Sequence, residues 1–284
     1  MTQTQTRTPQ ARPVTRRRIA GAALAALAGA GVLAVWWFFV TTVPGQHVDE
    51  VAYIGSRIGR GRVAEYTQAI LDVVSVPFLL LVIVVTTVVA ALRRRWRQAL
   101  GVGAMVGAMN VTTQLLKYQV LTRPDLGVTQ GYQENTLPSG HTTVAGSVAA
   151  AMLLVAPSSS RWLVALLGAA YTGATGLATM ADGWHRASDV VAAVLVVAAW
   201  ALLAQAVAGP TAEAGPTRTA AALLALVGVV GGIVAAASML LTRGASLEPS
   251  RAEMLIAYGG ASAGVLATVA LATLAVLVVG TRPR

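Results

Sequence analysis

Residues 182–212 read DGWHRASD followed by VVAAVLVVAAWALLAQAVAGPTA. The second part, 190–212, runs for 23 residues without one Asp, Glu, Lys, Arg or His. About 20 apolar residues in an α-helix cross a hydrocarbon core of roughly 30 Å. Backbone groups in lipid must bond within their own segment, so such a run is a helix. The first part is the opposite: two acids, a histidine, an arginine and a serine crowd the start of that helix. A membrane helix with chemistry at its mouth is the unit from which the rest is read.

Seven more charge-free runs of 19 to 28 residues accompany it: 19–46, 73–92, 98–116, 142–160, 162–181, 219–242 and 254–281. Apolar and polar residues do not alternate, which argues against a β-barrel. The expected fold is all-α, a polytopic membrane helical bundle. It has a basic tail over 1–18, a six-helix core over 19–208, and two additional C-terminal transmembrane helices over 209–284. Composition agrees. Apolar residues make up 56% and charged ones 11% of the chain, against about 45–50% and about 25% in soluble domains. Mean hydropathy is +0.67. A disordered chain, a coiled coil and a soluble globular enzyme are excluded.

Twenty arginines, one lysine and 11 acids give a net charge of +10. The arginines cluster at the ends of apolar runs, as topology signals do, and not as a nucleic-acid surface. Arg7, Arg12, Arg16, Arg17 and Arg18 precede the first run, and Arg93, Arg94, Arg95 and Arg97 separate the second from the third. The positive-inside rule puts both clusters, and both termini, in the cytoplasm. The segments after the third and fifth runs then face outward. Thr15-Arg16-Arg17-Arg18 resembles a twin-arginine export signal. The run behind it is far longer than a signal core of about 7–15 residues, which favours an uncleaved anchor. Cysteine is absent, so thiol catalysis, disulfides and thiolate metal sites are excluded.

Residues 47–69 are the longest polar stretch between runs. Val48, Val51, Ile54 and Ile58 recur at helical spacing, which suits a surface-lying amphipathic helix; an ordinary connecting loop is the alternative. Gly103 and Gly107, Gly228 and Gly232, and Gly260 and Gly264 are small pairs four apart. Such pairs let helices approach closely, within the bundle or in a homo-oligomer.

Three polar segments fall on the outer side. Lys117 to Pro124 ends the third run, Pro138-Ser139-Gly140-His141 opens the fourth, and Asp182 to Asp189 joins the fifth to the sixth. Lys117, the single lysine, is an anion ligand or a side chain snorkelling to the interface. Ser139, Gly140 and His141 at a helix start offer free N–H groups and a positive dipole end to a phosphate; a plain helix cap is the alternative. His141 is a proton donor near neutral pH. His185 and Asp189 are four apart and share a helix face. The carboxylate can hold one imidazole nitrogen and leave the other free to attack; an Asp cap beside an interfacial His is the other reading.

At these residues the sequence resembles the type 2 phosphatidic acid phosphatase superfamily, the lipid phosphate phosphatases related to vanadium haloperoxidases. That family's motifs are Lys-x6-Arg-Pro, Pro-Ser-Gly-His and Ser-Arg-x5-His-x3-Asp, on a six-helix bundle. The resemblance implies a metal-independent phosphatase, without cofactor, acting on a membrane lipid phosphate or isoprenoid pyrophosphate. His185 would form a phosphohistidine, Asp189 would orient it, and His141 would protonate the leaving group. Lys117, Arg123, Ser139 and Gly140 would bind phosphoryl oxygens. Two departures stand out. Five residues separate Lys117 from Arg123, where the motif has six. Positions 178 and 179 hold Ala178 and Thr179 in place of Ser-Arg. Arg186 is the candidate substitute for the missing arginine, although it lies about 100° from His185 on a helix.

Three other readings compete. A catalytically silent relative that binds or flips a lipid phosphate is motivated by the missing arginine. A transporter has little support, since charges are absent from the third to eighth runs. A metalloenzyme using His141, His185 and Asp189 is the third.

Overall fold

Long apolar stretches without proline or charge favour helix, and the chain is an all-α bundle. A computed structural model describes residues 11–73, 84, 88, 96–129, 134–209, 217–246 and 248–281. Its helices are α1 (Ala11–Thr41), α2 (Val43–Gly55), α3 (Arg60–Val73), α4 (Trp96–Leu115), α5 (Gly140–Val155), α6 (Arg161–Ala181), α7 (Ala187–Ala208), α8 (Arg218–Thr242) and α9 (Arg251–Val279). Among the described residues, five are long and apolar enough to cross a membrane: α6 to α9, and α1 from Val14. Leu27, Ile233, Leu241 and Val207 are well exposed on them. Exposed apolar residues in such number are a lipid-facing surface. The chain is thus a multi-pass membrane protein.

Several sequence expectations change here. The run 19–46 is not one helix. It breaks at Thr42, an extended residue whose side chain accepts from Gly45 N, with Pro44 in the first turn of α2. Proline and a capping threonine start a new helix more readily than they continue an old one. The fourth run forms only the 16 residues of α5, which at 1.5 Å per residue is short for a full crossing. The second run, 73–92, lies outside the described residues apart from its first residue and Val84 and Val88; of the arginines at 93–97, Arg93, Arg94 and Arg95 do too.

The polar stretch 47–69 is helical but does not lie on the surface as drawn. Its first part belongs to α2, whose buried face is Gly45, Gln46, Asp49, Glu50, Val51, Ala52 and Gly55. Two carboxylates thus point inward, where a surface-lying helix would bury Val48, Ile54 and Ile58.

The core is built mainly of Ala, Val, Leu and Met. Its largest cluster joins Met105 and Met109 of α4, Leu153 of α5, Ala201 and Leu202 of α7 and Leu277 of α9. The glycine pairs serve unequally. A Cβ at Gly260 would sit 2.1 Å from Ser238 of α8, and one at Gly228 2.5 Å from Leu271 of α9. These glycines make the close α8–α9 crossing. A Cβ at Gly103, Gly107 or Gly232 would meet nothing within 4 Å among the described residues. The C-terminal pair is not an appendage, because α9 also packs on α7, α6 and α2.

Candidate active site

The carboxyl ends of α4 and α6 and the amino ends of α5 and α7 meet at one end of the bundle. Alternating helix direction puts all three polar segments there. They surround a groove of about 1640 Å³, counting its mouth, walled by Tyr53, Leu71, Asp72, Gln114, Lys117, Tyr118, Gly140, His141, Trp184 and His185, among others.

The turn before α7 is set by backbone bonds. Thr179 O accepts from both Trp184 N at 3.0 Å and His185 N at 3.2 Å. Gly183 takes φ 72°, a left-handed conformation that glycine adopts without the steric cost of a side chain. His185 Nδ1 lies 3.1 Å from Asp189 Oδ2. That same oxygen accepts from Thr136 Oγ1 at 2.6 Å and Arg186 N at 2.9 Å. Three donors on one buried oxygen fix the carboxylate as an anionic acceptor. With Nδ1 so engaged, His185 Nε2 is the ring nitrogen left for a ligand, and the residue lines the groove.

The central motif works in two layers. Leu137–Pro138 is a cis peptide, and α5 begins at Gly140 with Ser139 as its N-cap. The Ser139 N–H, expected to face a ligand, donates to Asp189 O at 2.9 Å. Its Oγ accepts from Thr142 N and from Thr142 Oγ1 at 3.0 Å. Ser139 is fully buried; it ties α5 to α7 and is withdrawn from the groove. Gly140 is different. A Cβ there would meet only Gln114 Nε2, at 3.9 Å. The fold tolerates a side chain at this position, and glycine leaves the groove open. His141 borders the same space, its ring 5.3 Å from that of Trp184.

Lys117 sits in a π-helical turn, Leu116–Val120, that extends α4. Asn135 ties that turn down, its Nδ2 donating to Lys117 O, Leu121 O and Leu137 O, each at 3.0 Å. The Lys117 ammonium lies 5.4 Å from the Tyr118 ring centre and lines the groove. Arg123 does not line it. Its Nη2 donates to Thr129 Oγ1 at 3.1 Å, and burial together with the Arg186 charge pulls its pKa down, against the pull of Asp49, Asp189 and Glu50.

Arg186 requires a correction. Expected to stand in for the arginine absent at Thr179, it is not among the residues that line the groove. Its Nη2 donates to Glu50 Oε2 at 2.9 Å, with both side chains about 1% exposed. Its guanidinium also lies 4.8 Å from the Tyr53 ring centre. Burial pulls its pKa down, but Asp49, Glu50 and Asp189 outweigh that and raise it. Arg186 is the extended N-cap of α7, so the helical offset from His185 does not apply; its side chain instead meets an acid of α2, a partner that no local spacing reveals.

Four residues of this site escape sequence reasoning: Asp49, Glu50, Thr136 and Asn135. The adjacent acids at 49 and 50, within a stripe of Gly45, Gln46 and Ala52, are the signal that could have found α2's inward face.

His185 on Asp189 shares one groove with His141 and Lys117, so the three motif segments meet at a single place. Residues 98–212 match the PAP2 superfamily. The match spans α4 to α7 and all three motifs, so the recognised family is the one found. No curated protein and no solved structure gives a significant match. The PAP2 match supports a phosphatase-type reading of the matched segment; helices α1, α2, α3, α8 and α9 lie outside it.

Proposed function

We propose that this protein is an integral-membrane phosphatase that hydrolyses a lipid phosphate or isoprenoid pyrophosphate through a phosphohistidine, with its groove on the extracytoplasmic side of the cell membrane. The observation that carries this reading is the His185–Asp189 pair at the wall of a groove that also holds His141, Lys117 and Gly140.

In the first step His185 Nε2 attacks phosphorus, a P–N bond forms, and the P–O bond to the leaving group breaks. His141 gives its proton to the departing oxygen. Asp189 holds the Nδ1 proton and stabilises the charge that His185 gains. Lys117 and the Gly140 N–H face the phosphoryl oxygens as their negative charge shifts. In the second step water gives a proton to His141 and attacks phosphorus. The P–N bond breaks, its electron pair returns to His185, and phosphate leaves.

The test is phosphate release by purified protein in micelles, with chelator present. Phosphatidic acid, phosphatidylglycerol phosphate and a polyprenyl pyrophosphate form the panel. Wild type releases phosphate from at least one, and His185→Ala from none. Release by His185→Ala would refute the phosphohistidine.

One observation favours a second reading, a relative that binds or flips a lipid phosphate without cleaving it. Position 179 holds Thr179, and Arg186 is spent on Glu50. That reading predicts lipid-phosphate binding with no release from any substrate.

A further inference from the structure

The His185–Asp189 pair stands on a turn whose other residues face α2. Along 185–189, positions 185 and 189 meet each other and positions 186 and 188 meet the acids of α2. Glu50 Oε2 accepts from Arg186 Nη2 at 2.9 Å and Nε at 3.3 Å. Asp49 accepts on Oδ2 from Ser188 Oγ and on Oδ1 from Ser188 N, the latter at 3.4 Å. The backbone N–H of that same Arg186 donates to Asp189 Oδ2. Both acids are buried, Asp49 to 3% and Glu50 to 1% exposure. A buried carboxylate is costly unless its partners are well placed, and here Arg186 and Ser188 of the turn supply partners to both. The helix carrying them is itself braced. A Cβ at Gly55 would sit 2.3 Å from Met254 O of α9, so α2 is pressed between the C-terminal helix and the turn.

The geometry points to Asp49 and Glu50, on a helix outside the PAP2 segment, as positioning residues that hold the 185–189 turn and set the protonation of His185. This rests on the reading of His185 as the attacking group. The two carboxylates do two things. They fix the main chain of residues 186 and 188, and with it the reach of His185 into the groove. They also offset the Arg186 charge beside the His185–Asp189 pair. The charged groups around that pair are Lys117 from the turn that extends α4, Arg123 from the following loop, His141 from α5, Arg186 at the cap of α7, Asp72 from α3 across the groove, and Asp49 and Glu50 from α2.

Neutralising Glu50 leaves the Arg186 cation less compensated, and a nearby positive charge disfavours imidazolium. The acid limb of kcat/KM therefore moves to lower pH. For Glu50→Gln the expected shift is about half a unit or more. The misplaced turn lowers kcat by about tenfold to hundredfold, with KM within about twofold. Asp49→Asn moves the limb the same way by less, because burial already disfavours that carboxylate's charge. Glu50→Asp retains the charge and keeps the limb at the wild-type pH.

The experiment combines pH–rate profiles of the full chain in micelles with an NMR titration of labelled imidazoles. Three histidines are assigned with His47→Gln and His141→Gln. Thermal melts give the folded fraction of each variant. An unmoved His185 titration in Glu50→Gln, or activity falling only in step with the folded fraction, would overturn the proposal. Where Glu50→Gln does not fold, Asp49→Asn carries the same titration with the Arg186–Glu50 pair intact. A wild type that releases no phosphate sinks the phosphatase reading. The imidazole titration, which needs no turnover, still decides whether the α2 acids set His185.

Discussion

Gly140 separates chemistry from folding more cleanly than any other residue of the site. Its neighbours leave room for a methyl group, the nearest atom being Gln114 Nε2 at 3.9 Å. Gly140→Ala is therefore expected to shift the melting temperature little, since alanine favours the first turn of a helix over glycine. The methyl group instead fills space beside the N–H to which the proposed mechanism assigns the phosphoryl group. Activity should fall about tenfold or more, the scale of losing one transition-state hydrogen bond. Equal losses of stability and activity would mean that the glycine serves the fold. The spacing of His185 and Asp189 predicted their contact, but on the wrong ground: His185 lies in the turn before the N-cap of α7, not on a shared helix face, and reaches Asp189 in the first turn across the helix start. Ser139 and Arg186 were misread for a common reason. Each is satisfied by a residue remote in sequence, Asp189 O and Glu50, and spacing along one helix carries no information about what arrives from another.

At the scale of elements, helices were legible wherever burial in lipid dictates them, and the missed feature is the polar join between α2 and α7. Asp49 caps the first turn of α7 from outside, through Ser188 N and Oγ. Burial first, and then the Asp189 charge, pushes its pKa up from 3.8 to about 6, against Ser188, Arg186 and Arg123, which pull it down. The folded state therefore binds this proton more tightly than the unfolded one. Its contribution to stability is full below pH 3.8 and is lost as pH rises through about 6. Asp49→Asn cannot ionise and keeps one acceptor for Ser188. Melting curves between pH 4 and 7 should show the variant gaining on wild type as pH rises, by a few kcal/mol at most. A constant difference across that range would place the Asp49 proton elsewhere. The α8–α9 crossing gives a second test. At Gly260 a Cβ would overlap Ser238 at 2.1 Å, so Gly260→Val should destabilise the protein by about 1–3 kcal/mol. The same change at Gly232, where a Cβ meets nothing within 4 Å among the described residues, should cost little.

Over the whole molecule, polar groups divide between the two ends of the bundle in different ways. The groove end gathers Lys117, His141, His185 and the acids of α2. The other end holds Arg161, 1% exposed, whose three guanidinium nitrogens have no hydrogen-bond partner among the described residues. A buried cation without a partner costs stability, so Arg161→Met should raise the melting temperature while leaving activity intact. Arginine placement predicts which end faces the cytoplasm. Arg16, Arg17 and Arg18 enter α1 at the end opposite the groove, where Arg17 donates to Val278 O and Arg18 approaches Ala208 O at 3.5 Å. The positive-inside rule then predicts a groove that faces outside. The chain has no cysteine, which makes this directly measurable. Asp125 lies exposed in the loop at the groove end, and Ser159 lies exposed between α5 and α6 at the other. In intact cells a membrane-impermeant maleimide should label Asp125→Cys and spare Ser159→Cys, and permeabilisation should make both react. The reverse pattern would turn the groove toward the cytoplasm and with it the pool of lipid phosphates within reach, while the histidine chemistry, which depends only on the geometry within the groove, would stand.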